Sequence, residues 1–179
     1  MKIKLLAART AAATLLIGGG TAIVLGSLTT TPASAGVVTT CAAPGAVFGT
    51  PGNDTLTGTA GSDIICGLGG NDSISGLGGN DFLYGGGGND HVLGGGGADF
   101  LDGGTGADLV KGSGGADFEK GRKGADSIFG GAGPDTLAGG FGRDTIDSTD
   151  GVSGNDSVNG GNGSDTCTAD GGDSVSSCP

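Results

Sequence analysis

The chain has 179 residues and 45 of them are glycine, far above the roughly 7 % of an average protein, yet the strict triplet that would make this collagen is absent. Nineteen acidic residues outnumber eight basic ones for a net charge of −11, which argues for cations and against nucleic acid or an anionic membrane as partners. With no Trp, one Tyr, one Met and one His, a conventional packed core and a His-based catalytic site are poorly supplied, and most large-domain enzymes are excluded.

At the start of the chain, Lys2, Lys4 and Arg9 precede an apolar stretch from Ala11 to Leu28, followed by Ala33-Ser34-Ala35 before Gly36. That order reads as a secretory signal peptide over 1–35 with an A-x-A cleavage site. Gly18, Gly19, Gly20 and Gly26 make the apolar run weak for a membrane span, so none is expected after cleavage. Val38-Thr39-Thr40-Cys41 lacks the small residue that precedes the Cys of a lipoprotein box. Loss of the leader leaves five basic residues against 19 acidic ones, and the product is expected to be secreted. Residues 36–48 form an N-terminal cap segment. Cys41, Cys66, Cys167 and Cys178 in an exported chain suggest two disulfides, with three connectivities possible. No C-x-x-C spacing points instead to a thiolate metal site.

From here the aspartates keep time. Asp54, Asp63, Asp72, Asp81, Asp90, Asp99, Asp108, Asp117, Asp126, Asp135 and Asp144 are each nine residues apart. Each has a glycine two and five positions before it and an aliphatic residue two after, from Leu56 and Ile65 through Leu137 and Ile146; Glu119 alone breaks that row. After a three-residue insertion (Ser148, Thr149, Asp150) the pattern resumes at Asp156 and Asp165, with Val158 and Cys167 in the aliphatic slot. The repeat G-G-x-G-x-D-x-U-x thus runs about thirteen times over 49–168, and residues 169–179 form a C-terminal cap segment. On these residues the chain resembles the repeat-in-toxin (RTX) calcium-binding family, although Thr50, Thr59, Leu68, Leu77, Ser113 and Arg122 stand where the motif has its second glycine. The resemblance implies an all-β fold, a right-handed parallel β-roll (a two-sheet β-solenoid), with Ca2+ held between successive turns.

The residue types lead to the same architecture. Calcium takes six to eight oxygens and one carboxylate supplies at most two, so backbone carbonyls must converge on the ion, and glycine turns permit that. The x-U-x segments form short strands with the middle side chain opposite its neighbours. Two repeats close one coil, and strands of alternate repeats stack into two parallel sheets. Aspartates of repeats n and n+2 then align closely enough to share an ion. The expected ligands are the thirteen aspartates from Asp54 to Asp165, with the turn carbonyls of Gly70, Gly79, Gly88, Gly97 and Gly106, for several calcium ions. If the insertion bulges out, thirteen repeats allow eleven such bridges. Turns one to seven, with Asn53, Asn71, Asn80 and Asn89 before the Asp, read as the strongest. Arg122, Lys123 and Arg143 are expected to weaken calcium locally or to replace it. Small inward side chains on a glycine-rich backbone make the metal-free chain largely disordered, with folding coupled to calcium. In such a solenoid Cys66 and Cys167 lie about five coils apart at ~4.8 Å each, beyond a disulfide's reach, so the pairing is Cys41–Cys66 and Cys167–Cys178, each fastening an end segment as a cap.

Ile64, Phe82, Phe100 and Phe118, with Tyr84 alongside, form an outward column. It reads either as cross-strand stacking or as a docking surface for an extracellular polymer, a cell-wall glycan or a second copy. Glu119 needs a partner in its inward slot, with Lys120 or Lys111 the candidates and a distorted coil the alternative. His91 reads as a surface residue, and Lys111, Lys120, Arg122 and Lys123 as one small basic patch. H-E-x-x-H, G-x-S-x-G and an apolar pore segment are all missing, so no enzymatic activity is expected. The chain reads as a secreted calcium-binding structural or interaction module, with a surface- or polysaccharide-binding adhesin rod as the alternative. RTX proteins commonly leave the cell by a C-terminal signal, and the N-terminal leader read here departs from that.

Overall fold

The computed structural model describes residues 41–179, so the signal-peptide expectation for 1–35 lies outside the described residues. All regular elements there are strands: β1 (Val47–Phe48), β2 (Thr55–Thr57), β3 (Ile64–Gly69), β4 (Ser73–Gly78), β5 (Phe82–Gly87), β6 (His91–Gly96), β7 (Phe100–Thr105), β8 (Leu109–Gly114), β9 (Phe118–Lys123), β10 (Ser127–Ala132), β11 (Thr136–Gly142), β12 (Thr145–Asp147), β13 (Ser157–Gly163), β14 (Thr166–Thr168) and β15 (Ser174–Ser176). Odd-numbered strands form an eight-stranded sheet and even-numbered strands a seven-stranded one, each in sequence order. Each strand therefore pairs in parallel with the strand one coil away, as in Leu83 with Leu101 and Ile128 with Ile146. The result is a two-sheet parallel β-roll of about seven turns.

Strand alternation sets what faces inward. In β5, Leu83 and Gly85 are buried while Phe82 is exposed and Tyr84 half-buried, as a period of two requires. Repeated along the chain, this gives a core one side chain wide: Ile65, Ile74, Leu83, Val92, Leu101, Val110, Ile128, Leu137, Ile146 and Val158, with Val47, Leu56, Cys167 and Cys178 packed against it. Glu119 occupies the same row, fully buried between Leu101 and Leu137.

The ladder is one strand longer at each end than the thirteen repeats. β1, within 36–48, pairs with β3, and β15, within 169–179, pairs with β13. The insertion bulges out, because pairing resumes in register beyond it, Thr136 with Ser157 and Ile146 with Cys167. Asp150 closes that bulge by accepting from the Val152 amide (2.7 Å), the Gly133 amide (3.2 Å) and Asn155 Nδ2 (3.0 Å).

The disulfides are Cys41–Cys66 and Cys167–Cys178, with Cα separations of 6.3 and 5.9 Å. They act on different surfaces. Cys66 stands at the outward position beside Tyr84, so its bond ties the N-terminal segment to the outer face of the eight-stranded sheet. Cys167 takes the inward slot after Ile146, so its bond brings Cys178 against the end of the core.

Candidate metal centre

The residue one step before each strand points inward, and in this chain it is the aspartate of the clock. From Asp72 to Asp165 these side chains are at most 5 % exposed, so two carboxylate rows flank the apolar row inside the roll. One oxygen of each is committed to the backbone. Asp72 Oδ1 accepts from the Asp54 amide, Asp90 Oδ1 from Asp72, and Asp108 Oδ1 from Asp90, all at 2.8 Å. The other row repeats this from Asp63 to Asp81 to Asp99. Both rows cross the insertion, with Asp156 Oδ1 taking the Asp135 amide (2.8 Å) and Asp165 Oδ1 that of Asp144 (2.9 Å). Every one of the eleven n/n+2 aspartate pairs is thus joined by an amide-to-carboxylate hydrogen bond, a direct link distinct from the shared ion expected of these pairs. Asp173, not expected in the row, extends it by accepting from the Asp156 amide at 3.4 Å.

The second oxygen is left over. In each of the eleven aspartates from Asp72 to Asp165, Oδ2 is buried and has no hydrogen-bond partner. In all of them but Asp156, it sits under the glycine five residues before it. A Cβ added at Gly94 would lie 2.5 Å from Asp99 Oδ2 and 2.8 Å from the Gly112 carbonyl. At Gly103 and Gly130 it would lie 2.6 Å from the Oδ2 of Asp108 and Asp135 respectively. These glycines are therefore required by space. Those two before the Asp, such as Gly88 and Gly97, take φ of +121° and +130°, and there the requirement is conformational. Where the second motif glycine is replaced, Leu68, Leu77, Ser113 and Arg122 still adopt φ of 78–91°, a conformation costing a non-glycine residue about 1–2 kcal/mol.

The first two turns differ. Thr50 donates to Asp54 Oδ2 from its amide (2.6 Å) and its hydroxyl (2.9 Å), and Thr59 does the same to Asp63 (2.6 and 3.0 Å). Their carboxylates are already satisfied, so turns one and two are not among the strongest cation candidates, contrary to the ranking from the asparagines. Those asparagines build a second ladder: Asn53 Oδ1 accepts from the Asn71 amide, Asn71 Oδ1 from Asn89 and Asn89 Oδ1 from Ala107.

Burial raises the carboxyl pKa along the rows, most strongly mid-roll. Asp108 and Asp117 are pushed up to about 7, and Asp126 and Asp135 to about 6. The backbone amide on Oδ1 pulls each back, while neighbouring carboxylates push up again. Loss of water holds the Glu119 carboxyl at about 9, with Asp135, Asp117 and Asp156 adding to it.

The flanking cations do not enter these turns. Arg122 reaches across the outer face to Asp102, Nε to Oδ2 at 2.6 Å and Nη2 to Oδ2 at 2.5 Å, and Asp126 Oδ2 keeps no partner. Lys120 lies over the Phe118 and Phe100 rings, 4.7 and 5.4 Å from their centroids, and so does not neutralise Glu119. Lys111 stands exposed on β8, in the other sheet from Lys120, Arg122 and Lys123. The basic patch is divided between two faces. Phe82, Phe100 and Phe118 do stack in register, with centroids 5.9 and 5.6 Å apart.

The family model described as the RTX calcium-binding nonapeptide repeat (4 copies) matches residues 48–83, 67–101, 93–118, 120–153 and 147–175. The chain belongs to the RTX repeat family. No individual curated protein and no solved structure matches it at a significant level. The RTX repeat is a calcium-binding one, and the donors here fit a hard cation: buried carboxylate oxygens without partners, backbone carbonyls beside them, and neither nitrogen nor sulfur among them. The carbonyls beside Oδ2 belong to the glycines five before the Asp one coil on, such as Gly94 near Asp81 and Gly112 near Asp99. The expected donors Gly70, Gly79, Gly88, Gly97 and Gly106 stack instead on the matching glycine of the next coil. The regular glycine at the five-before position was the signal for the missed row. Among the described residues no helix is long and apolar enough to cross a membrane.

Proposed function

We propose that this RTX roll is a secreted structural or interaction module whose folding is driven by calcium. The observation that supports it is the row of eleven aspartates, each with one buried oxygen lacking a partner. A buried carboxylate without compensation is costly, and two rows of them repel each other along the roll. A cation bound to Asp72 through Asp165 and the neighbouring glycine carbonyls supplies the missing counter-charge, so that metal affinity becomes folding free energy. The disulfides fit an oxidising, extracellular compartment. The test is far-UV circular dichroism of the oxidised chain, titrated with CaCl2 and then with a chelator. A disordered spectrum should turn cooperatively to β and revert. A β spectrum indifferent to the chelator would withdraw the calcium-driven fold.

A second function is favoured by the outer face of the eight-stranded sheet. Phe82 is 45 % exposed, and beside the stack lies a shallow groove of about 430 Å³ lined by Tyr84, Asp102, Arg122, Lys123 and Phe141. Aromatic rings next to a fixed ion pair suit an extracellular polysaccharide, with the roll as an adhesin-type rod. Replacing Phe82 and Phe100 with Ser should abolish retention on cell-wall polymer and leave calcium binding unchanged. Retention that survives both substitutions removes this function.

A further inference from the structure

The inward slot of β9 departs from every other coil. Glu119 is fully buried and neither of its carboxylate oxygens has a hydrogen-bond partner. Asp117 and Asp135 each bring a ligand oxygen within 4.8 Å of it and of each other, and the Oδ2 atoms of both also lack partners. Two of these oxygens, from Asp117 and Glu119, converge over Gly112, where the other turns bring a single aspartate oxygen. A Cβ on Gly112 would run into both Asp117 Oδ2 and Glu119 Oε1, and would lie 2.8 Å from the Gly130 carbonyl. The lysines that could neutralise the cluster face elsewhere, Lys120 over the Phe118 ring and Lys111 exposed on the opposite sheet.

We propose that Asp117, Glu119 and Asp135 hold one divalent cation inside the roll, bound more tightly than at any turn served by aspartates alone. The proposal rests on the calcium-binding function above and adds to it a site in the core row. Three carboxylates within 4.8 Å of one another match the spread of oxygens around a hard cation with bonds of about 2.3–2.6 Å. An added anionic ligand is the device by which oxygen-ligated sites raise calcium affinity. A coil that gives up an aliphatic residue here loses core packing and gains an ion anchored mid-roll.

The experiment is calcium equilibrium dialysis on the oxidised full chain, wild type against Glu119→Leu and Glu119→Gln. Leucine is the residue on both sides of this slot, at Leu101 and Leu137, so that variant restores the ordinary coil, and glutamine keeps the shape without the charge. The wild type should retain one equivalent at free calcium about tenfold below the midpoint of the rest. In both variants that equivalent should move to the midpoint of the rest, because Asp117 and Asp135 remain an ordinary pair of the row. Superimposable isotherms for all three chains, or tighter binding by the leucine variant, overturn the Glu119 site while the calcium-binding roll stands. A wild type that binds no calcium overturns both.

Discussion

Replacing Asp90 with Asn removes one charge and keeps the outline of the side chain. Its Oδ1 still accepts from the Asp72 amide, so the ladder is intact, and the new amide group enters the cradle under Gly85, where the Gly103 carbonyl is near. Without calcium, Asn removes a buried oxygen that has no partner, an arrangement costing about 1–3 kcal/mol or more when charged. With free calcium a hundredfold above Kd, one bound ion stabilises by about 2.7 kcal/mol, and the variant loses that ion. Asp90→Asn should therefore stabilise the chelated chain by about 1–3 kcal/mol and destabilise the calcium-loaded one by a similar amount. The assay is urea unfolding followed by far-UV circular dichroism, in excess calcium and in chelator with sucrose to hold the roll folded. Asp54→Asn is the control. Its Oδ2 is taken by Thr50, so it should cost about 1 kcal/mol in both buffers. An Asp90→Asn effect of the same sign and size with and without calcium would refute a cation at Oδ2.

The raised carboxyl pKa values fix the response to pH. A raised acid binds more protons folded than unfolded, so the metal-free roll should be most stable below about pH 4 and lose stability as pH rises through 6 to 7, where Asp126, Asp135, Asp108 and Asp117 ionise. A chelated chain should show its β spectrum at pH 4 and lose it by pH 8, while the calcium midpoint rises as pH falls from 7 to 5. In β6, Gly94→Ala pushes a methyl onto Asp99 Oδ2 and the Gly112 carbonyl, whereas Gly96 has open space around it. The first should cost about 1–3 kcal/mol and raise the calcium midpoint, and Gly96→Ala should change unfolding by no more than about 0.5 kcal/mol. Replacing Cys167 and Cys178 with Ser opens a closure spanning 11 residues, with an expected loss of about 3 kcal/mol. Faster amide exchange confined to β13 to β15 would check it.

The nine-residue spacing made the roll legible, because a strict period places Leu83 on Leu101 and Asp72 on Asp90 with no further information. It also foretold both disulfides, and it left open whether the insertion bulges out, which the structure shows it does. The uses of individual oxygens were not legible. That Asp72 Oδ1 belongs to the Asp54 amide depends on the strand beginning directly after the aspartate. Thr50 and Thr59 looked like mere departures from the motif, yet each satisfies the carboxylate four residues on. Arg122 was expected to weaken or replace calcium in its own turn, but alternation turns it outward to Asp102, 20 residues away. Glu119 was visible as an intruder in the aliphatic row. The two lysines offered to it lie on outward positions of β8 and β9, which only the alternation of those strands settles.

The near identity of the coils has a kinetic consequence. Shifting one part of the roll by 18 residues against the rest would pair Leu83 with Glu119 or Val92 with Ile128 and preserve the carboxylate-to-amide pattern, so the landscape holds isomers that differ by a looped-out coil. Such translational degeneracy invites traps. Features that occur once break it: the Cys41–Cys66 bond, the Phe82–Phe100–Phe118 stack, the Arg122–Asp102 pair and the Asp150 bulge. They are spaced along the whole roll, from its first coil to its last. Residues that look dispensable for binding thus act as fiducial marks by which a repetitive chain finds its place.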